Sequence, residues 1–129
     1  MTGEFAVSND GIAQAFDLIA RSVRQLDAPE TAAQRLSVVL DELCSNLIRH
    51  DDTLTSDDVF SVHMGRDGDD IVLILSDTGQ PFNPFEFKHD RVPDIGGQGI
   101  NLIKGLCSSV EYSRENGKNK VKVIVSSID

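Results

Sequence analysis

The sequence lacks any apolar stretch long enough to cross a membrane. A transmembrane helix needs about 20 predominantly apolar residues, whereas the longest apolar run here is Ile71 to Leu75. The opening residues, MTGEFAVSND, contain neither a basic segment nor an apolar segment, so no signal peptide is predicted. These absences lead us to expect a cytoplasmic protein that does not contact membranes.

Basic residues are also scarce, with 12 Lys and Arg against 21 Asp and Glu and a net charge of −9. No basic stripe is available to neutralise phosphates, which argues against nucleic acid and against an anionic membrane surface as partners. The acidic balance is compatible with protein partners that carry basic patches.

Cysteine is rare as well. Cys44 and Cys107 fall within apolar helical patterns, and the sequence has no C-x-x-C pair and no His/Cys cluster with metal-ligand spacing. We therefore expect two buried free thiols in a reducing compartment, and neither a disulfide nor a zinc site.

The periodicity of the apolar residues predicts five strands and three helices in a single domain spanning residues 1–129. The order is strand, helix, helix, strand, strand, helix, strand, strand, which predicts an α+β protein with a mostly antiparallel sheet and three helices on one face. The predicted ranges are 3–8, Ile12 to about Leu26, about Ala28 to Arg49, 59–66, 71–77, a helix from Ile100, and a closing hairpin with its tip at Asn116-Gly117.

Three local features refine this prediction. The run 71–77 is apolar almost to its end, which predicts a strand buried on both faces. Asp27 and Glu30, with a proline between them, fit a capping box at the start of the second helix. Residues 77–99 form a stretch rich in Gly, Pro and Asp, and loops this long are usually functional, so we predict a mobile lid over 81–95.

The second predicted helix carries a line of polar side chains beside its apolar stripe. Glu42, Asn46 and His50 follow each other at intervals of four residues, which places them on one helical face. Such a line can be an ordinary solvated face. It can also be functional, because an Asn carbonyl oxygen can bind Mg²⁺ and a carboxylate one turn earlier can accept a proton from an attacking hydroxyl.

A second motif, SDTG at residues 76–79, ends the apolar strand. It can be a simple strand-terminating turn, which Asp and Gly commonly supply. In a functional interpretation, Asp77 accepts a hydrogen bond from an amino group at the rim of the sheet, and Gly79 allows a planar ring to approach.

A third motif, GGQGINLI at residues 96–103, places three glycines in front of an apolar helix. A helix N-terminus beside flexible backbone favours anions, because free N–H groups and the helix dipole both point at them. A plain loop-to-helix junction is the alternative. No Lys-Ser/Thr pair follows, so the motif is not a P-loop, and its context does not match a Rossmann fingerprint.

Taken in this order, the three motifs resemble those of the GHKL (Bergerat-fold) ATPases, a superfamily that includes gyrase-type topoisomerases, mismatch-repair ATPases and histidine kinases. ELCSNLIRH resembles the N-box helix, DTGQP the adenine-binding box and GGQGINLI the glycine box. The short length and the ending SSVEYSRENGKNKVKVIV are most similar to bacterial anti-sigma-factor serine/threonine kinases, the RsbW-like group. The resemblance covers essentially the whole chain and implies a two-layer α/β sandwich.

The resemblance implies ATP and Mg²⁺ as cofactors. Glu42 would be the catalytic base, Asn46 the Mg²⁺ ligand, and Asp77 the acceptor for the adenine amino group. Many members of the family carry a Thr after the glycine of the last hairpin; here Asn119 stands in that segment, and an Asn can still hydrogen-bond. The residues at the implied cofactor-binding positions are Asn46, Asp77, Gly79, Gly97, Gly99, Ile100 and Asn119, and His50 ends the N-box.

The implied function is that of an ATP-dependent serine/threonine protein kinase in a bacterial partner-switching pathway. Its partners would be a sigma factor, a small antagonist protein that it phosphorylates, or both, and a homodimer is compatible with the resemblance. A catalytically silent nucleotide-binding module is one alternative, against which Glu42 and Asn46 both argue. A detached histidine-kinase catalytic domain is another, which the absence of a phospho-acceptor His helix makes less favourable.

Overall fold

The computed structural model describes residues 1–50, 54–55, 57–85 and 95–126, except for the side chains of residues 49–50 and 95–100. In chain order its elements are β1 (Thr2–Ala6), α1 (Asn9–Gln25), α2 (Glu30–His50), β2 (Val59–Asp67), β3 (Asp70–Asp77), α3 (Ile95–Leu106), β4 (Ser109–Glu115) and β5 (Lys118–Ser126). The strands form a 5-stranded antiparallel sheet with the order β1-β2-β3-β5-β4. The predicted order of elements and the α+β class are therefore confirmed.

All three helices pack on the same face of this sheet. Their buried side chains belong to one core together with the inward-facing residues of the strands; the helical members include Leu18, Ile19, Leu36, Val39, Leu40, Leu43 and Ile103. Within the ranges that the structure describes, no helix is both long enough and apolar enough to cross a membrane.

The prediction that β3 is buried on both faces is wrong. Its residues alternate between buried and half-buried, so that Leu73 and Leu75 are buried while Val72 and Ile74 between them are not. The physical reason is that the helices cover one face of the sheet only, and the open face of β3 therefore keeps some contact with solvent.

The expected capping box at the start of α2 is also wrong. Asp27 has a φ of 55° and follows the end of α1. Its N–H donates to the carbonyl oxygen of Arg24, and the N–H of Ala28 donates to that of Val23. These two bonds form a Schellman motif, so Asp27 ends α1, and α2 begins only at Glu30.

The direction of α2 follows from contacts at its two ends. Arg66, at the end of β2 that pairs with Ile71, donates to the carbonyl oxygens of Leu26 and Asp27, just before α2 begins. The C-terminal part of α2 lies at the other end of the sheet, which we call the site end and define by Asp77.

The helix α3 runs in the opposite direction. Just beyond its last residue, the N–H of Ser108 donates to the carbonyl oxygen of Ile124, which pairs with Val72 near the start of β3. A helix of 12 residues is about 18 Å long, so α3 begins towards the site end. The C-terminal half of α2 and the N-terminus of α3 therefore both lie towards the site end.

Candidate functional site

Two apolar columns of the sheet end in polar side chains at the site end. On β3 the buried residues Ile71, Leu73 and Leu75 are followed by Asp77, and on β5 the corresponding sequence of positions reads Val125, Val123, Val121 and Asn119. Asp77 and Asn119 are direct cross-strand partners. They are only 8% and 4% exposed, and because buried polar groups need hydrogen-bond partners, their contacts are informative.

A cleft between α2 and these two strands contains both residues. Its lining consists of Leu43, Asn46, Leu47, Leu75, Asp77, Phe82, Pro84, Asn119 and Val121. Three predicted site residues, Asn46, Asp77 and Asn119, are thus brought together among apolar side chains. Apolar walls with a few convergent polar groups are typical of small-molecule sites.

Asn119 is the centre of a hydrogen-bond network at the sheet side of the cleft. Its Nδ2 donates to Asp77 Oδ1 at 3.0 Å and to the carbonyl oxygen of Gln80 at 2.8 Å. Its Oδ1 accepts from the Tyr112 hydroxyl at 2.5 Å and from the Phe82 N–H at 3.2 Å. A carboxamide has two donor hydrogens and two acceptor lone pairs, so the protein itself uses all four.

Among the described residues, only one of the two oxygens of the Asp77 carboxylate is hydrogen-bonded. Its Oδ1 accepts from Asn119 Nδ2 and also from the N–H of Gly79 at 2.9 Å. The described residues give no hydrogen bond to Oδ2, the oxygen that remains free to accept one from a ligand. The hydrogen bond from Gly79 is typical of a strand-terminating turn. The SDTG motif therefore forms a turn and also holds Asp77 so that its Oδ2 stays free as an acceptor.

The other predicted pair, Glu42 and Asn46, lies on α2, where Asn46 lines the opposite wall of the cleft and Glu42 precedes it by one helical turn. Asn46 is 6% exposed, so at this position the helix does not face solvent. The Oε2 atom of Glu42 is buried and has no hydrogen-bond partner among the residues that the structure describes. A buried carboxylate oxygen without a partner is costly, and such exceptions call for an explanation in function.

The glycine motif differs from its prediction. The helix α3 begins at Ile95, so Gly97, Gly99 and Ile100 lie inside its first two turns and not in a flexible stretch before it. The first N–H groups of a helix have no acceptor within the helix. Glycine-rich backbone with free donors therefore lies towards the site end, as an anion site requires.

Other sequence-based predictions fall outside the described residues. The side chain of His50 is among them, as are the side chains of the glycine motif up to Ile100. Most of the predicted lid is also outside, because residues 86–94 are not described.

The family model of the histidine kinase-like ATPase domain matches residues 5–125. The chain belongs to this family. Comparison with curated protein sequences gives no match.

Solved structures show the same fold at low sequence identity. The RsbU and RsbW domains of Rv1364c from Mycobacterium tuberculosis match with a TM-score of 0.66 and 10% identity, over 98% of this chain and 31% of that one. The Acinetobacter baumannii histidine kinase AdeS matches with a TM-score of 0.57 and 15% identity, over 100% and 68%. The histidine kinase domain of the blue-light activated kinase EL346 from Erythrobacter litoralis gives 0.53 and 17%, over 77% and 46%. This chain thus spans about a third of the first structure.

Membership in the histidine kinase-like ATPase family implies ATP binding, typically with Mg²⁺, and the donor set of the cleft fits both. Asp77 Oδ2 is an acceptor suited to an amino group, and Glu42 Oε2 is a buried oxygen that still lacks a partner. In the described part of the chain, no group of three His, Cys, Asp or Glu could hold a metal. A Mg²⁺ ion bound with a nucleotide does not require such a group, because water and substrate phosphates supply much of its coordination.

Sequence reasoning missed several residues of this ATPase-family site. Tyr112 and Phe82 complete the coordination of Asn119, and Arg114 Nη1 donates to the carbonyl oxygen of Gly79 at 2.7 Å. Tyr112 and Arg114 share a face of β4 and pair with Val121 and Asn119. A signal was available, because Tyr112 is the only tyrosine in the sequence and lies at an inward position of a predicted strand.

The two thiols are free, and neither is suited to nucleophilic chemistry. Burial raises the pKa of Cys44 to about 12, and the nearby Asp41 carboxylate acts in the same direction. Burial raises the pKa of Cys107 to about 11, although the charge of Arg35 opposes this. Cys107 is half-buried and lies just beyond the end of α3, and not within a helix as predicted. Both thiols stay protonated at neutral pH.

Proposed function

We propose that this chain is a cytoplasmic, single-domain serine/threonine protein kinase of the RsbW-like group. It would bind ATP and Mg²⁺ and phosphorylate a small antagonist protein, sequester a sigma factor, or do both. The observation that carries the proposal is the buried Oε2 of Glu42, which lacks a partner one helical turn before the buried Asn46. The structural likeness to a protein with RsbU and RsbW domains supports the regulatory context.

The base of the nucleotide would lie in the cleft between α2 and the sheet. The free Oδ2 of Asp77 would accept a hydrogen bond from the adenine amino group, and the apolar side chains of Leu43, Leu75 and Val121 would contact the ring. Burial of these apolar surfaces supplies affinity without demanding further polar groups.

The phosphates would point towards the N-terminus of α3 and the C-terminal half of α2. Bound ATP supplies the transferable phosphoryl group, and Mg²⁺ neutralises the charge that builds up on it. The carbonyl oxygen of Asn46 would hold the metal, and N–H groups of the first turn of α3 would donate hydrogen bonds to the phosphate oxygens. Glu42 would take the proton of the incoming Ser or Thr hydroxyl as the new phosphate ester bond forms, while the bond between the γ-phosphorus and the bridging β–γ oxygen breaks and ADP leaves.

The second candidate is a partner-switch module that binds nucleotide without transferring phosphate. Its support is that the network around Asn119 is complete without any contribution from Glu42. Affinity for the base does not require the residues that transfer would need.

Two measurements on the wild-type protein separate these functions. Calorimetry with ATP, in the presence and absence of Mg²⁺, tests nucleotide binding and the role of the metal. Incubation with radiolabelled ATP and candidate antagonists from neighbouring loci tests transfer to a Ser or Thr. Tight binding of ATP and partners with no transfer to any antagonist would establish the binding module, and absence of ATP binding would refute both functions.

A further inference from the structure

We propose that Asn119 is a positioning residue and not a direct ligand of the nucleotide base. Together with Tyr112 it fixes the orientation of the Asp77 carboxylate and anchors the segment 79–85 that follows β3. The inference rests on the proposed nucleotide binding, and it changes the role that the family resemblance implies for Asn119.

The first argument is saturation. Each of the four hydrogen-bonding positions of the Asn119 side chain has a protein partner at 2.5 to 3.2 Å. Asn119 is only 4% exposed. A bond from Asn119 to a base would require one of these contacts to break inside the protein, where an unpaired polar group is costly.

The second argument concerns the orientation of Asp77. Two donors, Asn119 Nδ2 and the N–H of Gly79, converge on Oδ1 and leave Oδ2 free. The backbone fixes which way the carboxamide of Asn119 faces, because the Phe82 N–H can only donate to Oδ1 and the Gln80 carbonyl can only accept from Nδ2. The Tyr112 hydroxyl donates to the same Oδ1 and adds to this orientation. Asn119 therefore presents an NH₂ group, and not an oxygen, to the Asp77 carboxylate.

The third argument is that the same side chain anchors one wall of the cleft. Asn119 binds the backbone of Gln80 and Phe82, and Phe82 and Pro84 line the cleft. One residue thus connects the proposed acceptor for the base to the segment that forms this wall of the cleft. Removal of the Asn119 side chain should therefore loosen both the Asp77 carboxylate and the segment 79–85.

The substitution Asp77→Asn tests the orientation directly. Because two N–H groups point at the Oδ1 position, the new amide must place its carbonyl oxygen there and direct its NH₂ into the cleft. An NH₂ group there repels the 6-amino group of ADP and suits the 6-oxo group of IDP. We expect ADP affinity to fall by about 5- to 150-fold and the preference between ADP and IDP to shift towards IDP by about tenfold or more.

The role of Asn119 is tested by repeating Asp77→Asn in an Asn119→Ala background. Only Gly79 then holds the Oδ1 position, so the new amide can turn, and we expect the shift towards IDP to shrink by about threefold or more. Tyr112→Phe keeps the ring and removes the hydroxyl, and it serves as a milder second background if Asn119→Ala fails to fold. Lys118→Gln, at an exposed neighbouring position, is the matched control and should leave both affinities unchanged.

A spectroscopic measurement on the wild-type protein distinguishes positioning from direct contact. In the nucleotide-free protein both side-chain NH₂ protons of Asn119 should be protected from exchange with water, and saturation with ADP should leave their chemical shifts nearly unchanged. Large shifts, with new contacts to the base, would overturn the inference. If the wild type binds ADP but Asp77→Asn shows no shift towards IDP, the inference fails alone. If the wild type binds neither nucleotide, the proposed function fails with it.

Discussion

The two sides of the cleft differ in how far their buried polar atoms are hydrogen-bonded within the protein. At the sheet wall, Asp77 and Asn119 are buried polar residues whose contacts are made within the protein, apart from one carboxylate oxygen. On α2, the helix that forms the other wall, Glu42 keeps a buried oxygen with no partner among the described residues. One wall is complete, whereas the other has a polar atom that still needs a partner.

This difference indicates that nucleotide binding and phosphate transfer depend on different sides of the cleft. A satisfied network holds its members rigidly and is ready to receive a base without rearrangement, which favours affinity. A buried oxygen without a partner destabilises the folded protein, and such features persist where a ligand or a proton transfer uses them. We therefore expect substitutions at the sheet wall to change binding and substitutions at Glu42 to change chemistry.

The largest effect is expected for Glu42→Gln. The substitution keeps the shape of the side chain but removes its ability to take a proton, and a general base typically contributes about 10²- to 10⁴-fold to the rate. Phosphate transfer to the antagonist should fall by at least about a hundredfold, while calorimetry should show nearly unchanged ATP affinity. Asp41→Asn, at the adjacent exposed position, is the matched control and should transfer at the wild-type rate. Transfer by Glu42→Gln at that rate would assign the base to another residue.

A smaller effect, confined to binding, is expected for Asp77→Asn. Adenine is common to ATP and ADP, so loss of the acceptor should weaken both nucleotides equally, by about 1–3 kcal/mol. Titrations with the two nucleotides measure this, and Asp70→Asn at the other end of β3 serves as the control. A loss for ATP without a loss for ADP would place Asp77 near the phosphates and contradict its assignment to the base.

The next effect in size concerns the metal. If the Asn46 carbonyl oxygen holds Mg²⁺, Asn46→Ala should remove the increase in ATP affinity that Mg²⁺ gives the wild type. Affinity in the absence of Mg²⁺ should change little, because the base contacts lie on the other wall. A mutant that still gains affinity on addition of Mg²⁺ would show that another group holds the metal.

The sequence was sufficient to predict features that depend on local order. Apolar alternation located the strands, and the tip of the last hairpin was predicted at Asn116-Gly117, where φ values of 52° and 75° confirm a tight turn. The motif around Asp77 and the family resemblance at Asn119 also made these two residues site candidates, and the structure pairs them in one cleft. Each of these signals lies within a few residues of the feature that it predicts.

Features that depend on tertiary contacts could not be predicted in this way. The half-buried face of β3 follows from which side the helices cover, and the apolar run itself contains no such information. The partners of Asn119 come from two other segments, because Tyr112 lies on β4 and Phe82 follows β3. The register that brings Tyr112 close could have been counted from the hairpin tip, but the fold of the segment containing Phe82 could not.

The smallest expected effect, that of Glu42→Met, concerns the stability of the protein without nucleotide, and it is opposite in sign to the effect of Asn119→Ala. Glu42→Met has a similar length and helix propensity but removes the buried oxygen, so the free energy of unfolding should rise by about 1 kcal/mol. Asn119→Ala removes a satisfied group and leaves its partners unpaired, so the same quantity should fall by about 1–3 kcal/mol. Urea denaturation measures both, with Asp41→Asn as a control expected within about 0.5 kcal/mol of the wild type. A decrease in the free energy of unfolding for Glu42→Met would mean that the Glu42 carboxylate stabilises the nucleotide-free protein. The contrast between the two walls would then disappear.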